Sequence, residues 1–117
     1  MTKQSLKRIT GESRFWKAGF VYIMTNKNHT TLYTGVTSNL PKRVQQHKES
    51  YYSQSFTSRY NLYLLVYWES FQEIGDAIGR EKQIKAGSRQ KKLDLINSMN
   101  PDWKDFADDV ENIMDVF

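Results

Sequence analysis

The stretch GFVYIMTNKNHTTLYTGV predicts a β-hairpin, and this hairpin most constrains what the chain can fold into. Residues 19–25 and 31–36 are rich in aromatic and β-branched side chains, which favour strands. The polar letters NKNHT between them are typical of a turn. The sequence therefore places two antiparallel strands early in the fold.

The hairpin is expected to have a core face and a face that carries two tyrosines. Side chains alternate across a strand, so one face takes the aliphatic residues Val21, Ile23, Leu32 and Val36. Tyr22 and Tyr33 then emerge together on the opposite face. Gly35 would leave open space beside Tyr33, where a ligand or a backbone can approach closely. The alternative is an aromatic pair that only stiffens the hairpin.

A helix and a third strand are predicted after the hairpin. The helix is expected to begin near Asn39, to tolerate Pro41 in its first turn and to run to about Tyr52. The apolar run LYLLVYWE, residues 62–69, predicts a strand that is buried on both faces. Such burial favours the central position in the sheet for this third strand.

Two further helices and a C-terminal segment complete the predicted chain. Ser70 is expected to cap a helix that carries Glu73 at the capping-box position and ends at Gly87. Ser88 is expected to cap a third helix. In residues 101–117, apolar side chains recur at steps of three and four, which predicts an amphipathic helix docked on the body.

This order, β-β-α-β-α-α plus a C-terminal helix, indicates an α/β fold with a small, mostly antiparallel three-stranded sheet flanked by helices. We expect a flexible basic arm over residues 1–18, the domain over 19–100 and the acidic helix over 101–117. The chain has no cysteine, which excludes a thiolate metal site or nucleophile and fits a reducing cytoplasm. No apolar run approaches the ~18 residues of a membrane span.

Charge is unevenly distributed along the chain. Residues 101–117 contain six acidic residues and one lysine, a net charge of −5, so residues 1–100 carry +9 of the total of +4. A basic body predicts a polyanionic partner such as DNA, while ordinary solvating charge is the alternative. The acidic segment could instead bind a protein partner or shield the basic surface. We expect a monomer or a weak dimer.

The first predicted helix carries two unusual side chains on or near its apolar face. Leu40 and Val44 define that face, His47 falls within it and Arg43 lies at its edge. A lone histidine there is commonly a satisfied core residue. A guanidinium, however, is not buried without an anionic partner, and phosphate suits its planar fork.

The second predicted helix repeats this pattern with an acid. Glu81 falls near the centre of an apolar stripe formed by Ile74, Ala77, Ile78 and Ile84. A carboxylate in that position must meet a cation, a hydrogen-bond donor or a metal ion, and a structural salt bridge, for example to Arg43, is the alternative to a metal. Basic residues flank this position and are predicted to contact nucleic acid: Arg80, Lys82, Lys85, Arg89, Lys91 and Lys92.

Taken in order, these motifs resemble the GIY-YIG nuclease family. The half-motifs would be residues 20–22, FVY, and residues 33–35, YTG, followed by NLPKRVQQH and GREKQIKAGSRQKK. The similarity covers roughly residues 19–103 and is greatest to small stand-alone bacterial members, which are related to the nuclease domain of an excision-repair protein. Phe20 and Val36 depart from the family pattern, since they stand where a glycine and a lysine are usual.

The resemblance implies a metal-dependent endonuclease that cuts DNA, with a role in repair or recombination. Tyr33 would activate the attacking water with Tyr22 beside it, Arg43 would steady phosphate charge, and Glu81 would be the sole ligand of Mg²⁺ or Mn²⁺. Lys42 and Gly35 join the predicted DNA contacts. His47 would line the site and is the rival to Tyr33 as the base, because an unperturbed imidazole titrates near ~6.5 and a phenol near ~10.

Two points are left open by the sequence. The family's late asparagine has no clear counterpart, although Asn97 and Asn100 are both near the expected position. The same fold could also serve as a nucleic-acid-binding module that does not cut, or as a protein-interaction domain that uses its acidic segment.

Overall fold

Three strands form a single antiparallel sheet in the order β2-β1-β3, in a computed structural model that describes residues 17–53 and 61–116. Residues 1–16, most of the predicted arm, lie outside the described part. The elements, in chain order, are β1 (Gly19–Thr25), β2 (Leu32–Thr37), α1 (Leu40–Ser53), β3 (Leu64–Phe71), α2 (Ile74–Ala86), α3 (Arg89–Met99) and a 3-10 helix (Ile113–Val116).

The predicted class and element order are confirmed, but the central strand is β1 and not β3. All seven residues of β1 are buried, because a strand pairs with each of its edges and side chains pack on both of its faces. The apolar run of β3 misled the prediction, since burial of a strand's two faces does not require a strand at both edges. A C-terminal segment covers the outer edge of β3 instead.

The two faces of the sheet carry two separate cores. The alternation in the hairpin predicted the division of residues between the faces, but not that the tyrosine face also forms a core. On one face, Phe20, Tyr22 and Met24 of β1 pack with α1 and with the C-terminal segment. On the other face, Val21 and Ile23 pack with residues of α2 and α3. The two tyrosines of the hairpin therefore belong to the α1 face, and the predicted metal ligand on α2 approaches from the opposite face.

Helix boundaries follow local capping with one correction. The side chain of Asn39 accepts a hydrogen bond from the Lys42 backbone at 3.2 Å, which starts α1. The predicted Ser70 cap is wrong, because β3 continues through Phe71 and α2 begins only at Ile74. Glu73 is the residue before α2, and its side chain makes no capping hydrogen bond.

The start of α3 and the contact of α2 with the sheet are set by small residues. Gly87 ends α2 as predicted, and Ser88 Oγ accepts a hydrogen bond from the Lys91 backbone at 3.2 Å. Gly19 lies under α2, where a Cβ atom would come within 2.7 Å of the Ile74 Cα. A larger residue at position 19 would therefore push α2 away from β1.

The C-terminal segment contains only the short 3-10 helix, and not the amphipathic helix expected over residues 101–117. Two hydrogen bonds tie it to the sheet: Phe106 N donates to Leu65 O at 2.8 Å, and the Asp105 carboxylate accepts from Leu65 N at 3.1 Å. Its other backbone hydrogen bonds form turns, as from Val110 N to Phe106 O at 3.2 Å. Val110 is fully buried in the core of the α1 face. The apolar residues at helical spacing thus fill the core through turns.

Among the residues that the structure describes, no helix is both long and apolar enough to cross a membrane.

Candidate active site

The Tyr22 hydroxyl is the centre of a polar cluster on the α1 face of the sheet. The Tyr22 side chain is fully buried. Its hydroxyl oxygen accepts a hydrogen bond from Arg43 Nε at 3.0 Å and lies 3.4 Å from His47 Nε2. One turn of α1 separates Arg43 from His47, so both side chains reach the same phenol.

Tyr33 completes this cluster from the edge strand β2. Its ring centroid lies 6.2 Å from that of Tyr22 and 5.5 Å from that of His47. The Tyr33 hydroxyl also interacts with both Tyr22 and Arg43. Because Tyr33 is only partly buried, its hydroxyl is the phenol of the cluster that a substrate can reach.

Gly35 has a different role from the ligand contact that the sequence predicts. It lies directly opposite Tyr22 in the β1–β2 ladder. A Cβ atom at position 35 would lie 2.5 Å from the Tyr22 hydroxyl oxygen and 2.6 Å from Cζ of the same ring. The space over the glycine is thus occupied by the Tyr22 phenol, and Gly35 is itself buried.

Burial and the Arg43 charge fix the protonation states of this cluster. Burial raises the pKa of Tyr22 even though the Arg43 guanidinium opposes the shift, so Tyr22 stays a neutral phenol. Burial, with the Arg43 cation, lowers the pKa of His47 to about 4, so the imidazole is neutral at pH 7. The hydrogen bond to Tyr22 raises the pKa of Arg43.

The neutral imidazole has a defined orientation. His47 hydrogen-bonds to the backbone of Leu62, which leaves Nε2 to accept the Tyr22 proton (a tautomer assigned from the hydrogen-bond network). Tyr22 thus accepts from Arg43 and donates towards His47. The buried tyrosine therefore orients two side chains of α1.

Glu81 is an inward-facing carboxylate, as its position in the helix predicts. Its side chain is 14% exposed, and Ala77 and Ile84 on the same face of α2 are buried. Ile78, which the sequence also assigned to that face, is 39% exposed. Glu81 pairs with Lys85 at 2.7 Å, so the structural salt bridge expected as the alternative is present, but its partner is Lys85 and not Arg43.

The pair formed by Glu81 and Lys85 is connected to the tyrosine cluster through electrostatics. Lys85 lies one turn after Glu81, and the hydrogen bond to Glu81 raises the pKa of its ammonium. Tyr33 contributes to the same shift, which places the Lys85 ammonium within the electrostatic reach of the Tyr33 hydroxyl. The Glu81 carboxylate is therefore slightly exposed, and its partner Lys85 is the group that interacts with Tyr33.

One carboxylate is what this site offers to a metal ion. Within residues 17–53 and 61–116 there is no group of three or more His, Cys, Asp or Glu side chains that could hold a metal. This donor set does not suit Zn²⁺, which takes at least three protein ligands. It fits Mg²⁺ or Mn²⁺, since Mg²⁺ keeps several waters and takes only one or two carboxylates.

Both candidates for the late asparagine make hydrogen bonds within the protein, and of the two only Asn100 is buried. Asn100 is buried, and its amide donates to the Val66 carbonyl at 3.1 Å and to the Lys104 carbonyl at 2.8 Å. The Asn97 side chain accepts a hydrogen bond from the Trp103 indole at 2.7 Å. Both asparagines hold the turn after α3, so each has a structural role.

The basic residues that the sequence predicts as DNA contacts fall into two groups: those that hydrogen-bond to the rest of the protein, and lysines that are exposed to solvent. Arg80 forms a partly buried ion pair with Glu69 at 2.9 Å, and Arg89 donates to the His29 carbonyl at 3.2 Å. Lys92 donates to the Gly87 carbonyl at 2.8 Å. The remaining lysines are exposed: Lys42, Lys82, Lys85 and Lys91.

Glu69 is a residue whose part in the structure the sequence analysis missed. It accepts hydrogen bonds from both Arg80 and the Tyr67 hydroxyl, and so ties α2 to β3. Burial raises the pKa of Tyr67 to about 12, and the Glu69 carboxylate adds to the shift. An acid at the end of an apolar run looks exposed in the sequence. By contrast, the spacing of Glu81 and Lys85, i and i+4, is a signal that could have been found.

The comparisons with known proteins identify the family of the chain. The family model described as the GIY-YIG catalytic domain matches residues 18–94. The chain therefore belongs to the GIY-YIG family, which confirms the resemblance carried by its motifs.

Within that family, the similar proteins are small bacterial proteins called UPF0213. The UPF0213 protein of Syntrophus aciditrophicus (strain SB) is 39% identical over 83 residues, which are 71% of this chain and 93% of that protein. UPF0213 protein CPE1444 of Clostridium perfringens is 39% identical over 79 residues, 68% of this chain and 83% of that protein. The solution NMR structure of UPF0213 protein BH0048 from Bacillus halodurans is 26% identical, with a TM-score of 0.49 over 74% of this chain and 90% of that one.

Proposed function

We propose that this protein is an endonuclease that hydrolyses phosphodiester bonds of DNA with the help of Mg²⁺ or Mn²⁺. The observation that supports this most is Arg43. Its guanidinium is half-buried, and none of the side chains that hydrogen-bond to it is a carboxylate. They are Tyr22, Tyr33 and Gln46. In the described part of the chain no carboxylate pairs with it.

A partly buried cation without an anionic partner favours an anionic ligand at that place. The hydrogen bonds at 3.0 Å to Tyr22 and at 3.0 Å to Gln46 hold the guanidinium in one orientation. The other N–H groups of Arg43 remain for the two non-bridging oxygens of a phosphodiester. In this role Arg43 stabilises the negative charge that grows on those oxygens during attack.

Hydrolysis adds the oxygen of water to phosphorus, breaks one P–O bond and moves the water proton to a base and finally to the leaving oxygen. Tyr33 is our choice for the residue that takes part in this proton movement, because its hydroxyl is in the cluster and is partly exposed. His47 is the weaker choice. Its pKa of about 4 gives little driving force at neutral pH, and its Nε2 already faces the Tyr22 hydroxyl.

Glu81 is the residue that would hold the metal ion. A bound Mg²⁺ or Mn²⁺ polarises a phosphoryl oxygen and lowers the pKa of a water molecule. The carboxylate suits this because it is ionisable, only slightly exposed and connected through Lys85 to Tyr33. A role in DNA repair or recombination rests on the resemblance of the motifs alone.

The direct test is a nicking assay on supercoiled plasmid DNA with Mg²⁺, with Mn²⁺ and with a chelator. We expect metal-dependent relaxation by the unchanged protein, and a loss of at least about 100-fold in Glu81→Gln and in Arg43→Gln. Glu73→Gln is the matched control, because Glu73 is an exposed acid next to the same helix and makes no capping hydrogen bond. Equal loss in Glu73→Gln would contradict the assignment of Glu81.

A second candidate function is a nucleic-acid-binding module that does not cleave. The observation that favours it is the ion pair at 2.7 Å between Lys85 and Glu81, since the lysine already neutralises the only carboxylate of the site. Tight DNA binding without any Mg²⁺- or Mn²⁺-dependent cleavage, at protein concentrations that saturate the DNA, would establish this second function and refute the first.

A further inference from the structure

We propose that Lys85 exchanges partners during the reaction, from Glu81 in the metal-free protein to a phosphate of the bound DNA once a metal ion occupies Glu81. The inference rests on the proposed function, because it assigns Glu81 to a divalent metal ion. In this proposal Lys85 has a specific role in the site. The other exposed lysines only attract DNA through their charge.

The geometry of the pair allows such an exchange. Lys85 Nζ lies 2.7 Å from Glu81 Oε2, but the two side chains differ in exposure: the lysine is 52% exposed and the glutamate 14%. Glu81 is held in place by its position between the buried residues Ala77 and Ile84. The lysine has a flexible four-carbon chain and can reorient without any change in packing.

The surroundings of the pair show where the ammonium can move. Lys85 lies on α2, which packs against β2, the strand that carries Tyr33. Tyr33 also interacts electrostatically with both Lys85 and Arg43. A phosphate bound by Arg43 near Tyr33 would therefore be within the range of the Lys85 side chain. On the same helix Arg80 is held by Glu69, whereas the cation paired with Glu81 interacts with Tyr33.

Charge determines the order of events. A divalent cation and an ammonium compete for the same carboxylate, so Lys85 weakens metal binding in the protein without DNA. When DNA is present, its phosphate offers Lys85 a second anionic partner and removes that competition. Metal and DNA binding are then mutually favourable, as reciprocity of linked equilibria requires.

The first test measures Mn²⁺ affinity without DNA, by the decrease of the electron paramagnetic resonance signal of free Mn²⁺. We expect Lys85→Met to bind Mn²⁺ roughly three- to tenfold more tightly than the unchanged protein. Lys27→Met is the matched control for loss of one positive charge, because Lys27 is exposed in the turn of the hairpin. The proposed exchange requires that Lys85→Met increases the affinity for Mn²⁺ more than Lys27→Met does.

The second test measures the single-turnover rate of DNA cleavage at saturating metal. Here we expect Lys85→Met to be at least about tenfold slower, because the phosphate loses one cation. Tighter metal binding together with slower cleavage is the signature of partner exchange. A residue that only stabilises α2 would weaken both, and a residue that only competes with the metal would leave the saturated rate unchanged.

The outcomes separate this inference from the proposed function. Cleavage by the unchanged protein, combined with equal Mn²⁺ affinity in Lys85→Met and Lys27→Met, overturns the exchange and leaves the nuclease proposal intact. An unchanged saturated rate in Lys85→Met overturns it as well. Mn²⁺ binding that Glu81→Gln leaves unaffected refutes the metal site itself, and the exchange with it.

Discussion

Gly35 lies directly opposite Tyr22 in the β1–β2 ladder, and the glycine leaves the space that the Tyr22 phenol fills. The phenol in turn orients Arg43 and places its hydroxyl near His47. The glycine of the second half-motif and the tyrosine of the first are therefore a steric pair, which connects the two halves across the ladder.

Replacement of this glycine should disturb both the fold and the site. We expect Gly35→Ala to lower the free energy of unfolding by about 1–3 kcal/mol, because the new methyl group would lie 2.5 Å from the Tyr22 hydroxyl oxygen. Chemical denaturation measures the change. Gly79→Ala on α2 is the control, since nothing lies within 4 Å of a Cβ there, and it should stabilise the protein slightly. Tyr22→Phe should relieve only part of the loss in Gly35→Ala, because Cζ at 2.6 Å remains in phenylalanine. Equal stability of Gly35→Ala and the unchanged protein would contradict the steric pair.

His47 should titrate far below an ordinary histidine. With only two histidines in the chain, nuclear magnetic resonance can follow each ring, and we expect a pKa of about 4 for His47. Arg43→Gln should raise this value without restoring it to 6.5, because burial is the larger cause and remains. A midpoint for His47 above about 6 in the unchanged protein would contradict the buried position.

The same shift has a consequence for stability. The pKa of His47 is lower in the folded protein than in the unfolded chain. The contribution of the neutral imidazole to the free energy of unfolding is therefore fully present above about pH 6.5 and is lost as the pH falls towards 4. The loss amounts to up to about 3 kcal/mol. Between pH 7 and 4, the free energy of unfolding should therefore decrease less steeply in His47→Gln than in the unchanged protein.

Asn100 is expected to matter for folding and not for metal binding. Its buried amide makes hydrogen bonds to the backbone of Val66 and Lys104, so Asn100→Ala should cost about 2–4 kcal/mol of unfolding free energy. Asn97→Ala, which removes a single exposed acceptor for Trp103, should cost much less. Mn²⁺ affinity should be the same in folded Asn100→Ala and in the unchanged protein, and a large loss would assign Asn100 to the metal site.

The acidic C-terminal residues are expected to weaken DNA binding through charge alone. Deleting the segment would remove Val110 and Phe106 from the core, so charge replacement is the cleaner experiment. The acidic side chains to neutralise together are exposed: Asp108, Asp109, Glu111 and Asp115. We expect several-fold tighter DNA binding by fluorescence anisotropy at about 50 mM salt and little difference at about 500 mM. Equal affinity at low salt would leave a protein partner as the remaining hypothesis for these charges.

Local patterns predicted the elements and the two faces of the hairpin, because alternation and capping act over a few residues. Ser88 and Gly87 delimit α3 and α2 as expected. The position of β1 at the centre of the sheet and the turns of the C-terminal segment depend on pairing between distant residues. The bond from Phe106 to Leu65, for example, spans 41 positions in the numbering and has no local signal.

The candidate site was predicted as a set of residues but not as a network. Helical periodicity placed Arg43, His47 and Glu81 inward, and the structure brings the first two to Tyr22. The partners were not predictable, because they depend on distances between elements. Gly35 meets a side chain and not a ligand, and Arg80 is paired with Glu69.

The turns after α3 also determine how the sheet meets other protein chains. At Leu65 the peptide donor and acceptor that face outward from β3 are taken by Asp105 and Phe106, and the Val66 carbonyl is taken by Asn100. An incoming strand from another copy cannot pair with these three groups, which hinders growth of the sheet from molecule to molecule at this part of the β3 edge. The residues after α3 that bond to β3 are thus expected to reduce aggregation as well as to complete the fold.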